Sequence, residues 1–151
     1  LGSSSTGSHA MKSAIDAWDN LFDSLPLPTF ILGIDMRVRK ANRAMVQALG
    51  MTNRDECINK QCYKLAHNSA SPHPECPLMT AMERNTDVRS IIDEPHMNGT
   101  YLFHVTPVES DTGFPNSIIC TACNITALRD SHRLLSENLM RLSLAQRAGE
   151  F

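Results

Sequence analysis

Four side chains near the middle of the chain carry ligating chemistry: Cys62, His67, His73 and Cys76. Thiolate and imidazole are the donors that zinc, iron or another soft transition metal takes, and four of them close a tetrahedral shell. Cys62 and His67 stand five residues apart, slightly past one helical turn, so a helix ending near His67 would aim both at the loop that follows. His73 and Cys76 are spaced as a chelating pair on that loop. Two other readings fit the same residues. Cys62 can be a buried core thiol beside a structural loop. Cys62 and Cys76 can also form a reversible disulfide, which requires an exposed thiol of low pKa.

Cys120 and Cys123 have the same spacing as His73 and Cys76, but they lie in a β-prone run. Side chains three apart on an extended strand point to opposite faces, so this pair cannot hold one ion and reads as small packing residues. On the preceding β-prone run, His104 and Thr106 share one face while Tyr101, Phe103 and Val105 share the other. If His104 and Thr106 point inward with Thr121, they could orient a polar ligand. The alternative is an ordinary filled core. No nucleophile–base pair, acid pair or Gly-rich phosphate loop stands out, so no catalysis is expected of this segment.

Composition bounds the setting of these residues. The chain has 151 residues, of which 42% are hydrophobic and 20% charged, the balance of a single globular domain with an appendage. Its net charge of −2 lacks the basic excess of a nucleic-acid binder. The longest uncharged apolar stretch, Pro26 to Ile34, contains two prolines and is too short to span a bilayer, so no membrane contact is expected. Five cysteines without a secretory signal read as reduced thiols in a cytoplasmic protein. Residues 1–10, rich in Ser and Gly, read as an expression tag, and 148–151 as a vector scar.

The elements follow from periodicity. Met11, Ala14, Ile15, Trp18, Leu21, Phe22 and Leu25 form one apolar helical stripe, closed by Pro26. Residues 29–35 and 37–42 read as a hairpin turning at Asp35-Met36. Asn42 can cap a helix over 43–49 that Gly50 ends. Short helices are expected over 61–67 and 78–83, separated by a stiff loop, 68–77, with three prolines. Three strands follow at 88–92, 101–108 and 117–125, with turns at Asn98-Gly99 and Asp111-Thr-Gly113. Residues 127–147 run without Gly or Pro, and Leu128, Leu135 and Leu142 recur every seven residues with Leu139 beside them. That stripe is either a dimer seam or a helix packed on its own domain. Two strands in front and three behind, with short connections, imply an α+β fold: a five-stranded antiparallel sheet with short helices on one face.

Several runs within this order resemble the PAS sensor family. The opening is Leu25-Pro-Leu-Pro-Thr-Phe-Ile-Leu-Gly-Ile-Asp35, then Arg37-Val-Arg-Lys-Ala-Asn-Arg-Ala44 and Leu49-Gly50. The close is the strand ending Asn124-Ile-Thr126, which runs into a helix. The middle resembles a subgroup with a Cys-Tyr pair, a His and a Cys-Pro loop, here Cys62-Tyr63, His67 and His73-Pro-Glu-Cys76-Pro77. His73 stands where that subgroup has its first loop cysteine, and Asn124 where the junction usually has Asp.

The resemblance implies a sensor domain over 26–126, flanked by an N-terminal helix over 11–25 and a signalling helix over 127–147. It implies a homodimer through Ile15, Trp18 and Phe22 on the first helix and Leu128, Leu135 and Leu142 on the last. A ligand or redox signal would pass through these helices to an output domain in the same parent chain, such as a histidine kinase. The alternative is a ligand-free structural dimerisation module in a transcription regulator or cyclic-dinucleotide enzyme. The residues argue against haem, because 78–83 carries no His, and against flavin, because around Cys62 the flavin-contacting Asn and Gln are missing.

Overall fold

The computed structural model describes residues 3–109 and 115–149. In chain order they form α1 (Ser3–Ser24), β1 (Thr29–Gly33), β2 (Val38–Ala41), α2 (Arg43–Ala48), α3 (Cys62–Ala66), α4 (Pro77–Arg84), β3 (Val88–Glu94), β4 (Gly99–Glu109), β5 (Pro115–Asn124) and α5 (Thr126–Gly149). Single 3-10 turns occur at Arg54–Glu56 and Pro95–Met97. The strands make one sheet in the order β2-β1-β5-β4-β3, every neighbour antiparallel. This is the α+β architecture the sequence implies.

Alternation assigns the two faces of the sheet. Phe30 and Leu32 on β1, Tyr101, Phe103 and Val105 on β4, and Ile118, Cys120 and Ala122 on β5 are buried beneath α2, α3 and α4. Fully enclosing Leu32, Val38, Met45, Val105 and Ile118 stabilises the fold by about 1.5–3 kcal/mol per large side chain. The other face carries Ile31, Leu102, His104, Thr106, Ile119 and Thr121, all only partly buried.

Asn42 ties the opening together. It is fully buried, and its Oδ1 accepts from the N–H of Thr29 and of Met45, the second bond capping α2. Its Nδ2 donates to the Leu27 carbonyl at 2.9 Å and reaches the Leu25 carbonyl at 3.4 Å. One side chain therefore joins the exit of α1, the start of β1 and the start of α2. Gly50, at φ +70°, ends the α2 turn as expected.

Several boundaries differ from expectation. α1 starts at Ser3, because nothing between Ser3 and Ala10 forbids propagation of a helix already nucleated by the stripe. Pro77 opens α4 at N1, where its missing N–H costs nothing, so the loop ends one residue early. β3 runs to Glu94 instead of stopping at Ile92. The turn at Asp111-Thr-Gly113 lies outside the described residues. Among the described residues no helix is long and apolar enough to cross a membrane.

Phe22 requires a correction. It is buried, whereas Ile15 and Trp18 beside it on α1 are exposed, so Phe22 anchors α1 to the domain and does not belong to an exposed seam. The reason is position: it sits in the last turn of α1, just before the chain enters the core. α5 buries nothing, and Leu128, Leu135 and Leu142 are all exposed.

Candidate functional site

Two recesses lie side by side between the helices and the β3 end of the sheet. The inner one, about 20 Å³, is lined by Phe30, Leu32, Met45, Ala66, Leu78, Met97 and Phe103 together with Cys62, Cys76 and Cys120. A space of that size holds at most one water molecule. The outer one is a groove of about 720 Å³ between the 68–77 loop and β3. Cys62, His67, Cys76, Pro77 and Ile92 line both, so these residues form the partition between them.

The thiols facing the inner recess, Cys62, Cys76 and Cys120, are all buried. Burial, reinforced by the nearby Cys76, pushes the Cys62 thiol up to about 12. Burial likewise pushes Cys120 up, with Cys62 and Cys76 adding to it, and Cys57 is raised by burial with Glu56 contributing. The reversible-disulfide reading needs an exposed thiol of low pKa, and Cys62 is neither.

At the partition, His67 Nδ1 hydrogen-bonds Glu94 Oε2. An ionised carboxylate only accepts, so Nδ1 is the donor in this pair. The Glu94 side chain is 6% exposed and that of His67 29%. The His67 ring also meets Phe103 edge-on, with centroids 6.1 Å apart. Among the described residues, His67 is the sole hydrogen-bond partner of the Glu94 carboxylate. Sequence periodicity ends β3 at Ile92 and so misses Glu94. Continuing the alternation Val88, Ser90, Ile92 by one step would have placed it on the inner face.

Cys62, His67, His73 and Cys76 do all line the groove, but they do not close on one point. Among the described residues no three His, Cys, Asp or Glu side chains are arranged to hold a metal ion. His67 Nδ1 is held by Glu94 and His73 Nδ1 accepts from the Glu75 N–H at 3.1 Å, which leaves only the Nε2 atom of each ring for a ligand. The four-ligand expectation is therefore not met in this arrangement. Cys120 is buried and Cys123 exposed, in line with the strand argument against a chelate.

His104, Thr106 and Thr121 are a second correction. They lie on the sheet face away from the helices and line neither recess, because Tyr101, Phe103 and Val105 take the inner positions of β4. Three aromatic or branched side chains bury more apolar area than His and Thr, and register moves the whole set together. His104 Nε2 instead lies 3.5 Å from Asp87 Oδ2.

The recess connects to α5 through a short polar chain. Tyr101 donates its hydroxyl hydrogen to the carbonyl of Met97, whose residue lines the inner recess. Asn124 Nδ2 reaches the Tyr101 hydroxyl at 3.5 Å, and Asn124 Oδ1 accepts from both the N–H and the hydroxyl of Thr126, the first residue of α5. Thr126 Oγ1 accepts in turn from the Thr100 N–H. Asn124 thus supplies the acceptor that the usual Asp would, without charge. A Cβ on Gly99 would stand 2.6 Å from Thr126 Oγ1. Gly99→Ala is expected to displace Thr126 and destabilise the domain by about 1–3 kcal/mol, measured by chemical denaturation. A change below about 0.5 kcal/mol would show that the junction yields freely.

Comparison with known proteins agrees with this geometry. The family model described as "PAS fold" matches residues 22–130. The chain belongs to the PAS fold family, a class of sensory modules. Among solved structures it is similar to the PAS domain of BvgS from Bordetella pertussis, at 17% identity and TM-score 0.58, covering 86% of this chain and 98% of that one. It is also similar to a sensory box sensor histidine kinase from Vibrio cholerae, at 18% identity and TM-score 0.56, covering 80% and 98%. An RNA-binding light-oxygen-voltage receptor matches at 18% identity and TM-score 0.67, over 87% of this chain but only 38% of the receptor. No curated protein matches the chain by sequence.

Proposed function

We propose that this domain senses a ligand for a bacterial signal-transduction protein, a sensor histidine kinase being the parent that fits best, and transmits the bound state through α1 and α5. One observation carries the reading: the inner recess, which shares Cys62, His67, Cys76, Pro77 and Ile92 with the outer groove, connects through Met97, Tyr101 and Asn124 to the first turn of an otherwise unpacked helix. A change at the recess that alters the Met97–Tyr101 contact would bias the angle at which α5 leaves the sheet, a population shift between two arrangements. The similarity to the Vibrio cholerae sensor histidine kinase supports a kinase parent.

Two copies are proposed to associate along α1 and α5. Leu128, Leu135 and Leu142 lie on one seam of α5, each 60% or more exposed, and such a stripe is stable only when covered. Leu135→Asp is expected to shift the protein from dimer to monomer in sedimentation equilibrium while its circular dichroism and melting temperature stay near wild type. A dimer of undiminished affinity in that variant would remove α5 from the interface.

The small inner recess favours a second reading, a structural dimerisation module with a filled core. The two separate by ligand response, because the structural module dimerises and binds nothing in the groove.

A further inference from the structure

We infer that the ligand site of this domain is the outer groove between the 68–77 loop and β3, not the core, and that it takes a small organic cation with an apolar tail. The inference rests on the sensing role proposed above and specifies what is sensed. Volume makes the first half of the argument. About 20 Å³ inside admits one water molecule, whereas about 720 Å³ outside lies within the range of small-molecule sites.

The lining makes the second half. Glu75 and Glu94 line the groove, with Asp93 at its edge on the opposite face of β3, and neither Lys nor Arg is among its residues. Asp93 is already engaged by Arg129 at 3.3 Å and by the Thr100 hydroxyl, which leaves Glu94 and Glu75. The Glu94 carboxylate is nine-tenths buried, lines the groove, and among the described residues has only one oxygen paired, to His67 Nδ1. The Ser90 hydroxyl, on the same face of β3, adds an acceptor to the lining. A group bringing several N–H donors and a positive charge satisfies this set, whereas a carboxylate or phosphate would meet a buried like charge. Pro72, Pro74, Pro77, Tyr63 and Ile92 supply the apolar wall for a hydrocarbon tail. The prolines stiffen that wall, which lowers the ordering cost of binding.

Three probes that differ mainly in head group test this: phenethylammonium, 2-phenylethanol and 3-phenylpropanoate, each titrated into the full chain and followed by ¹H–¹⁵N NMR. Phenethylammonium is expected to shift the amides of Ser69, Ser71, Glu75 and Cys76 and of Ser90 to Glu94, at least about tenfold more tightly than the alcohol. The propanoate is expected to bind weakest. Glu94→Gln should erase that preference. Because Glu94 is buried and its substitution can impair folding, Glu75→Gln on the exposed loop serves as the second variant, with an expected loss of about threefold. Equal affinity for all three probes, or preference for the anion, within the groove would overturn the cation assignment and leave ligand sensing standing. Shifts confined to the core residues around Met45 and Leu78 would overturn the groove as the site. No shift from any probe up to about 10 mM would overturn both, and would favour the structural module.

Discussion

Asn42→Ala is expected to cost about 3 kcal/mol of unfolding free energy, the largest loss from any single polar side chain in the domain. Alanine leaves the Thr29 and Met45 N–H groups without their acceptor in a buried position, while the Leu27 carbonyl keeps its bond from the Thr29 hydroxyl. Each orphaned buried group costs about 1–3 kcal/mol, and loss of the α2 cap alone about 1. Asn42→Asp separates the roles: it keeps the acceptor for both N–H groups, loses the donor to Leu27, and buries a charge, so it should be no milder than alanine. Equilibrium urea denaturation measures both. A loss below about 1 kcal/mol for alanine would mean that water replaces the amide, and that the exit of α1 is not coupled to α2 through this residue. Because Asn42 joins that exit to the core, Asn42→Ala should also loosen α1, seen as faster amide exchange in its last turn, at Phe22 and Asp23, while the sheet amides exchange as in wild type.

The second large effect is alkaline. The Cys62 thiol is raised from 9.0 to about 12 by burial, so between these values the unfolded chain has released a proton that the folded chain still holds. Unfolding then releases a proton, and stability falls as pH rises. The contribution is fully present below about pH 9 and is lost progressively toward pH 12, by about 1.4 kcal/mol per pH unit. Cys62→Ala removes this slope. Between about pH 9 and 10.5 wild type should lose about 2 kcal/mol more than the variant, with the other titrating groups common to both. Equal slopes would show that Cys62 ionises freely in the folded state. The same burial predicts thiol reactivity: Ellman's reagent should modify exposed Cys123 rapidly at neutral pH, and Cys57, Cys62, Cys76 and Cys120 only as the protein unfolds. For Cys62 the smaller thiolate fraction alone slows reaction by about a thousandfold.

Local patterns carried most of the fold. The β1–β2 hairpin, the Asn42 cap, the Gly50 stop and the alternation along β4 each arise from residues near one another in sequence, where backbone sterics and period decide the outcome. The same reasoning separated Cys120 from Cys123 correctly, because the two-residue period of a strand is a covalent property. Cys62, His67, His73 and Cys76 were legible as neighbours of one site for a related reason: α3 and the proline-stiffened loop hold them along the same wall.

What that wall does was decided elsewhere. Glu94 reaches the groove from β3, which is set by pairing with β4 and contact with α4, and no local signal joins it to His67, 27 residues earlier. Its carboxylate occupies His67 Nδ1 and leaves only Nε2 of that ring for any other ligand. Phe22 likewise looks like its exposed neighbours on the α1 stripe until the core closes on it, and His104 and Thr106 look like ligand residues until the register of β4 turns them outward. By itself the sequence determined the elements, their order, the alternating faces and the unpacked apolar seam of α5, because these depend on period and turn chemistry. The tertiary structure alone decided which face is inside, how small the core recess is, and which acid meets which histidine. Those outcomes depend on the packing of segments far apart in the chain, where burial of the larger apolar set outweighs the preference of any single residue.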